Sequence, residues 1–573
     1  MQSYVGVGVT PGRVVGPVRI MPPALSAPPA GESLPESAEG GTTAAEAAAA
    51  ELKSAAAQVK AELLDRAGRA TGDGKDVLSA TALMATDPML IKAAVKLINA
   101  GSSAQRAIWD AGNDVAAMLI SLGGYMAERS HDVLDVRSRI VAALRGVPAP
   151  VIPDSDEPFI LVAEDLAPAD TATLDPAKVI ALVTAGGGPQ SHTAIIARNL
   201  GLPAVVAARG VMELAEHELV YVDGAQGRIT TEPGDAELAA AAKWRMQSSQ
   251  LGTFDGVGQL ADGTRLDLLA NVGGAKDAVA AAAANAQGVG LLRTEFCFLG
   301  HDTEPGHDEQ VAAYKGVFDA FGGKKVVVRT LDAGADKPLP FLTDSTEPNP
   351  ALGVRGYRTD TTSPGVLARQ LAAIADAAAQ SSARVWVMAP MISTAAEAAG
   401  FAALCTAAGL STPGVMVEVP SAALTSRHLL EQVEFASLGT NDLTQYAMAA
   451  DRQLGPLATL NDPWQPAVLA LVQATVDGAA AQARAAGNGA GPKPVGVCGE
   501  AAADPALAVV LAGLGVTSLS MSARAIPAVS AVLRSVTPAQ AREVAQRAVA
   551  AASASEARAL VRAELPILAE LGL

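Results

Sequence analysis

The spacing of hydrophobic residues changes twice before residue 240, from a strand-like to a helical pattern and back to a strand-like pattern. Residues 1–20 alternate small and β-branched residues, which predicts one or two strands, and a Pro-, Gly- and Ser-rich loop or partly disordered linker follows. Residues 42–146 carry apolar positions at helical spacing, which predicts a bundle of three or four long helices. Short β-rich runs resume at Pro148 and predict a compact α/β domain. The amino-terminal strand could belong to that domain, which would make the helical bundle an insertion.

From Arg265 to the end, strand-like and helix-like stretches alternate. The strand candidates are RLDLLANVG, GVGLLRTE, KVVVRTLDAG, VWVMAPMI, GVMVEVP, FASLGTND, PVGVCGE and TSLSMS. Eight such units in this length predict a closed (β/α)8 barrel.

The predicted fold class is therefore a multidomain α/β protein that ends in a (β/α)8 barrel. We expect an α/β domain made of residues 1–21 and 147–232, interrupted by an inserted helical domain at 22–146. A linker helix at 233–252 would lead into the barrel at 253–573.

Composition narrows the function classes. A formal net charge of -17 and a pI near 4.9 argue against a nucleic-acid binder, which needs basic patches. The three cysteines are odd in number and far apart, so neither a disulfide framework nor a zinc site is expected, and a reducing cytoplasm is predicted. We find neither a signal peptide nor an apolar stretch long enough to insert into a membrane.

Polar side chains stand at the carboxyl ends of five predicted barrel strands, where barrel enzymes hold their active sites. Any one of them could be an ordinary surface ion pair or, for the cysteine, a small buried hydrophobe, but their coincidence at one rim indicates a site. The candidates at the strand ends and in the following loops are Arg293, Arg329, Arg355, Glu418, Asn441, Asp442, Arg452 and Cys498.

The residue types at this rim indicate a small polyanionic ligand. Arginine suits bidentate recognition of phosphate and carboxylate groups. Glu418 and Asp442 offer the hard oxygen ligands that Mg²⁺ takes together with substrate oxygens. The sequence therefore predicts a Mg²⁺ site beside the arginines.

A second candidate site lies on a glycine turn. The strand KVIALVT runs into Gly186-Gly187-Gly188, after which Ser191 can cap a helix that begins near His192. Backbone N–H groups at a helix start favour an anion, so a histidine there can accept a phosphoryl group. A nucleotide P-loop is excluded because no Gly-Lys-Ser/Thr follows the glycines.

Six blocks of sequence carry a family resemblance. GGGPQSHTAIIARNLGLPAVV, LLRTEF, VRTLDAGADK, GVMVEVP, SLGTNDLTQY and VGVCGE occur in the order found in Enzyme I of the bacterial phosphoenolpyruvate:sugar phosphotransferase system, and the resemblance covers nearly the whole chain. It implies a swivelling phosphohistidine α/β domain, an inserted helical domain that docks the carrier protein HPr, and a barrel that binds phosphoenolpyruvate and forms a homodimer.

The resemblance also implies roles for single residues. His192 would be phosphorylated on Nε2, and Thr171 would hydrogen-bond it. Glu418 and Asp442 would bind Mg²⁺, and Cys498 would protonate the enolate to give pyruvate. The residues expected to hold phosphoenolpyruvate are Arg293, Arg329, Arg355, Asn441, Asp442 and Arg452.

The resulting hypothesis is transfer of a phosphoryl group from phosphoenolpyruvate to His192 and then to HPr, the first step of sugar uptake. The α/β domain would swing over the barrel, with residues 233–252 as the hinge. Two alternatives remain at this stage. A regulatory protein could sense phosphoenolpyruvate without turning it over, and an ATP-linked dikinase would share the domains, although the chain has no room for an ATP-binding domain.

Overall fold

The computed structural model forms two compact units, one mainly of residues 14–238 and the other mainly of residues 239–573. It describes residues 2–10, 12–22, 25–29, 32–34, 43–69, 81–122, 124–149, 152–153, 155, 157–166, 174–175, 178–187, 193–194, 197, 200–250, 253–299, 301, 303–334, 339–344, 347–452, 454, 457, 459–487, 489 and 491–573.

The first unit contains an eight-stranded sheet that joins the two ends of the predicted α/β region. Its strands are β1 (Ser3–Val5), β2 (Val7–Thr10), β3 (Arg13–Ile20), β4 (Phe159–Ala163), β5 (Val179–Thr184), β6 (Ala204–Val206), β7 (Leu219–Asp223) and β8 (Arg228–Thr231). The order is β1-β8-β7-β3-β4-β5-β6-β2, with β3, β4, β5 and β6 parallel. The amino-terminal strands therefore belong to the sheet, and the helices between β3 and β4 interrupt it in sequence.

Those helices pack around a core of their own, rich in alanine, valine and leucine. They are α1 (Ala44–Arg69), α2 (Pro88–Asn99), α3 (Ala104–Leu122) and α4 (Gly124–Arg145). The start of α2 is set by Asp87, whose carboxylate accepts from the backbone N–H of Met89 and Leu90. A helix α5 (Asp235–Gln250) follows the sheet in sequence.

The second unit is a closed barrel of eight parallel strands, which confirms the predicted fold class. The strands are β9 (Asp267–Val272), β10 (Gly288–Arg293), β11 (Lys325–Arg329), β12 (Arg384–Ala389), β13 (Pro413–Val417), β14 (Phe435–Leu438), β15 (Val495–Val497) and β16 (Ser518–Met521). They are rich in Val, Leu and Met and are buried on both faces, as parallel barrel strands must be.

Helices cover the outside of this barrel. They are α6 (Ala275–Ala283), α7 (Glu295–Phe298), α8 (His307–Ala320), α9 (Val366–Ala379), α10 (Ala395–Ala407), α11 (Pro420–Leu424), α12 (Ser426–Leu430), α13 (Thr440–Met448), α14 (Pro466–Ala486), α15 (Pro505–Gly513), α16 (Ile526–Leu533), α17 (Pro538–Ala550), α18 (Ala554–Ala563) and α19 (Pro566–Leu571). None of the helices in the described part of the chain has the length and apolarity that a membrane crossing requires.

Candidate active site

The carboxyl ends of β10 and β11 bring two of the predicted arginines to one level of the barrel. Arg293 and Arg329 are register partners in this parallel pair, and Arg329 is in turn level with Met388 on β12. Because all eight strands are parallel, their carboxyl ends share one rim, where the loops that follow them converge.

Arg329 is a buried cation of this rim, with 6% of its surface exposed. Its guanidinium pairs with Glu295 directly, and its Nη1 lies 3.0 Å from an Asp332 carboxylate oxygen. Burial alone would lower the pKa of Arg329, but the neighbouring carboxylates, Glu295 foremost, outweigh it and raise the pKa further. Arg329 is therefore a permanent positive charge.

Arg355 extends this arrangement across the rim. Its Nη2 lies 3.3 Å from Asp332 Oδ2, and its Nη1 lies 3.1 Å from Asp442 Oδ1. The other oxygen of Asp442 lies 3.3 Å from Nη1 of Arg452, whose side chain is 24% exposed. One continuous chain of ion pairs results, in the order Glu295, Arg329, Asp332, Arg355, Asp442 and Arg452.

The alternation of sign makes this rim a preorganised anion site. A buried guanidinium is tolerated because a carboxylate lies against it. The buried Nε of Arg329 has no hydrogen-bond partner among the described residues, so this guanidinium is not saturated by its protein partners. Such groups stabilise charge that develops on a bound phosphoryl group without having to reorganise.

Glu418 follows β13 and is the most constrained carboxylate of the site, with 1% of its surface exposed. Its Oε1 accepts a hydrogen bond of 2.6 Å from the backbone N–H of Met391. Met391 adopts a left-handed φ of 60°, which is strained for this residue type and aims its N–H at the carboxylate. A Cβ on Gly439 would lie 2.8 Å from Glu418 Oε2, so only glycine leaves room for that oxygen.

Burial raises the pKa of Glu418 to about 8, with further contributions from Asp332 and Asp442 that outweigh the nearby arginines. Its Oε2 is buried and has no hydrogen-bond partner in the part of the chain that the structure describes. A buried carboxylate oxygen without a donor, beside a second carboxylate, is the setting that a divalent cation compensates. The described residues contain no cluster of three or more His, Cys, Asp or Glu side chains that could hold a metal alone. The residues present therefore suit a metal that takes its remaining ligands from substrate and water.

Asn441 and Cys498 lie where β14 and β15 end. Asn441 Oδ1 accepts from the backbone N–H of Glu500 at 3.1 Å, and Cys498 N–H donates to Leu438 O at 3.1 Å. A Cβ on Gly499 would lie 2.0 Å from Oγ1 of Thr440, so this glycine permits the close approach of the two loops. These contacts therefore hold the ends of β14 and β15 close together.

The Cys498 side chain lies inside the barrel among Leu291, Val327, Met388 and Met416 and is 2% exposed. Burial raises the pKa of its thiol to about 11, although Arg329 and other neighbours act in the opposite direction. The group therefore remains a protonated thiol at neutral pH, which is the state that a proton donor needs.

The structure brings Arg329, Arg355, Asp442 and Arg452 into one ion-pair chain and sets the other predicted rim residues on adjoining strand ends. Thr171 and His192 lie outside the described residues. On the two sides of residues 188–192, Gly187 has a φ of 78° and the Thr193 hydroxyl donates to Asp165 Oδ1 at 2.9 Å.

Sequence reasoning assigned no role to Glu295 and Asp332, the counter-ions of the buried arginines. The signal that could have found them is their position directly after β10 and β11, beside arginines that need a partner. The left-handed backbone conformation of Met391 could not be predicted from the sequence, because methionine has no preference for that conformation.

Comparison with protein families assigns all three regions of the chain to phosphoenolpyruvate-utilising enzymes. The amino-terminal family model matches residues 5–129, the mobile-domain model residues 155–227 and the phosphoenolpyruvate-binding-domain model residues 249–537. The barrel rim lies within the last of these, and the glycine turn lies within the second.

Curated relatives match along most of the chain. A phosphoenolpyruvate-protein phosphotransferase of Streptomyces coelicolor is 50% identical over 565 residues, covering 98% of each chain. One from Haloferax volcanii is 38% identical over 82% of this chain and 83% of its own length. A multiphosphoryl transfer protein of Rhodobacter capsulatus is 39% identical over 83% of this chain and 58% of its own length.

Proposed function

The chain belongs to the phosphoenolpyruvate-protein phosphotransferases, the Enzyme I family, and we propose that it phosphorylates its own His192 and passes the phosphoryl group to a histidine of HPr. The observation that carries the proposal is the buried chain of alternating arginines and carboxylates at the barrel rim. Phosphoenolpyruvate is a small polyanion with a phosphate and a carboxylate, the two groups that arginine binds best.

In this proposal the arginines of the rim hold the substrate. The phosphate and the carboxylate are shared among Arg293, Arg329, Arg355 and Arg452, with help from Asn441. The fixed guanidiniums neutralise the charge that spreads over the transferring phosphoryl group. Glu295 and Asp332 hold Arg329 in place before the substrate arrives.

Enzymes of this family act with a divalent metal, and we propose Mg²⁺ held by Glu418 and Asp442. When bound, the ion supplies positive charge to the phosphoryl and enolate oxygens. Glu418 contributes the buried oxygen that lacks a protein donor, and Met391 N–H fixes the other oxygen of the same carboxylate.

The Nε2 lone pair of neutral His192 forms an N–P bond as the P–O bond of phosphoenolpyruvate breaks, which leaves the enolate of pyruvate. The thiol of Cys498 donates its proton to C3 of the enolate, and pyruvate leaves; solvent later returns the proton to the thiolate. In this proposal the phosphohistidine domain delivers His192 to the barrel rim during the cycle, and Thr171 would steady the histidine.

The partners follow from the same family membership. We propose that residues 22–146 dock HPr, that residues 1–21 and 147–232 form the phosphohistidine domain, that 233–252 links it to the barrel, and that 253–573 forms a homodimer. The pathway would be sugar uptake. A cytoplasmic location is proposed because Cys297, Cys405 and Cys498 are free thiols in the structure.

The raised pKa of Glu418 predicts a pH-dependent stability. Its folded carboxyl keeps its proton up to about pH 8, whereas in the unfolded chain it loses the proton near its ordinary pKa of 4.5, so the metal-free protein loses stability as pH rises through this window. We expect Mg²⁺ to raise the melting temperature most at the alkaline end, because the cation binds the carboxylate form. Melting scans of the wild type and Glu418→Gln, each with and without Mg²⁺, measure both effects. An unchanged pH slope and Mg²⁺ shift in the variant would contradict this prediction.

Labelling with ³²P-phosphoenolpyruvate tests the proposed function at the phosphorylated residue. His192→Ala is expected to abolish covalent labelling, because the only proposed acceptor is lost, while the barrel still binds the substrate. His428→Ala is the matched control, since this histidine is exposed on the barrel and, among the described residues, pairs with Glu431. Full labelling of His192→Ala would refute the assignment, and loss of label in His428→Ala would show a different acceptor.

A further inference from the structure

Helix α9 carries one polar residue on its buried face. The helix reads VLARQLAAIADAAA, and Gln370 is 1% exposed among leucine, isoleucine and alanine neighbours. A glutamine in such a place is costly unless its amide is fully hydrogen-bonded.

Both ends of the Gln370 amide have partners. Its Oε1 accepts from the backbone N–H of Leu331 at 2.9 Å. Its Nε2 donates to Thr294 Oγ1 and to Tyr314 OH, each at 3.1 Å. The orientation of the amide is fixed, because the Leu331 N–H is a donor and can face only the carbonyl oxygen.

The partners on the strand side belong to the two arginine-bearing strand ends. Thr294 directly follows Arg293, and its hydroxyl donates to the backbone carbonyl of Arg329 at 2.9 Å. Leu331 comes two residues after Arg329. One buried amide therefore ties the end of β10 to the end of β11 at the level where Arg293 and Arg329 stand side by side.

We propose that Gln370 is a positioning residue for the phosphoenolpyruvate site, holding Arg293 and Arg329 at the spacing that the substrate phosphate requires. The inference rests on the proposed function, because it takes these arginines as phosphate ligands. The hydrogen bonds of Gln370 on this side go to the Leu331 backbone and to Thr294, which bonds the Arg329 carbonyl, so Gln370 acts through the two strand ends. Small displacements of such preorganised groups lower binding and rate strongly.

The outer part of the same network provides a matched control. Tyr314 OH accepts from Gln370 and donates to Gln310 Oε1 at 3.2 Å, and Gln310 Nε2 donates to Pro305 O at 3.0 Å. These bonds tie Gln370 to helix α8 rather than to a strand end. Tyr314→Phe removes the two hydrogen bonds of the tyrosine hydroxyl and leaves the bonds of Gln370 to Leu331 and Thr294 in place.

The test compares Gln370→Met with Tyr314→Phe. Methionine keeps the length of the side chain, and a small cavity lined by Thr330, Leu331 and Gly356 beside it leaves room for the sulfur. We expect Gln370→Met to raise KM for phosphoenolpyruvate by about tenfold or more, as loss of supporting contacts around a site does, with KM for HPr unchanged. Tyr314→Phe is expected to lower the melting temperature and leave both KM values within about twofold of wild type.

A second variant, Gln370→Glu, distinguishes a loss of positioning from a loss of folding. Gln370→Glu keeps the oxygen that accepts from Leu331 but replaces the donor to Thr294, whose hydroxyl then turns to the carboxylate and releases the Arg329 carbonyl. It is expected to raise KM for phosphoenolpyruvate while a melting scan shows a folded protein.

Two outcomes overturn the inference: KM for phosphoenolpyruvate at the wild-type value in both Gln370 variants, or an equal rise in KM in Tyr314→Phe. The wild-type protein distinguishes a failure of this inference from a failure of the proposed function. If the wild type transfers no phosphoryl group from phosphoenolpyruvate, the proposed function fails; if it transfers normally and the Gln370 variants do too, only the role of Gln370 fails.

Discussion

Arg329→Lys is expected to lower kcat/KM for phosphoenolpyruvate by about a thousandfold, the effect typical of losing a guanidinium that stabilises a transferring phosphoryl group. Lysine keeps the positive charge that Glu295 and Asp332 surround, so the buried carboxylates are not left without a counter-ion. What it loses is the planar fork that reaches two carboxylates and, in the proposed complex, a phosphate. The decrease should appear in kcat as well as in KM, since the charge on the phosphoryl group grows in the transition state.

A matched control for this variant is Arg369→Lys. Arg369 pairs with Glu304 on the barrel surface, with 57% of its side chain exposed, so the same substitution should leave kcat/KM near the wild-type value. Steady-state pyruvate formation with saturating HPr measures both variants. A decrease of less than about tenfold for Arg329→Lys would be incompatible with a phosphate-binding role.

Cys498→Ala is expected to slow pyruvate formation by about a hundredfold or more, the usual contribution of a positioned general acid. The thiol has a pKa of about 11 because it is buried, so it can donate a proton throughout the neutral range. In the variant the enolate lacks its donor, and exchange of the C3 protons of pyruvate with deuterium from D₂O should be lost in parallel. NMR of the pyruvate methyl group follows this exchange.

Cys405→Ala separates the chemistry from packing. Cys405 is also buried, on helix α10, and burial raises the pKa of its thiol to about 12, yet it lies in the outer barrel core. Its loss should lower the melting temperature and leave proton exchange intact. Unchanged pyruvate formation and exchange in Cys498→Ala would reduce Cys498 to a packing residue.

The barrel could be predicted from sequence because eight short, mostly apolar runs alternate with helical stretches, and five of these runs end in polar residues. Repeated strand–helix units predict parallel strands, and the register of β10 with β11 then places Arg293 and Arg329 side by side. The amino-terminal strands were harder, since only the sheet itself shows that β3 pairs with β4 across the helical segment.

The ion-pair chain was beyond sequence reasoning for a physical reason. Asp442 and Arg355 are 87 residues apart, and Arg355 and Asp332 are 23 apart, so their pairing depends on how the long segment between β11 and α9 folds over the rim. The sequence shows that charged residues follow these strands, but it does not show which of them form ion pairs with each other. Gln370 did leave a signal: a lone glutamine in the buried stripe of an alanine-rich helix needs partners that the apolar pattern cannot supply.

The central claim is a relay of one phosphoryl group through a histidine, and its most direct test is incubation of the purified protein with ³²P-phosphoenolpyruvate and Mg²⁺, with and without HPr. We predict a label on the protein that is stable in base and labile in acid, and that moves to HPr when HPr is added. Tight binding of phosphoenolpyruvate without any covalent label would contradict the relay and indicate a protein that senses this metabolite instead.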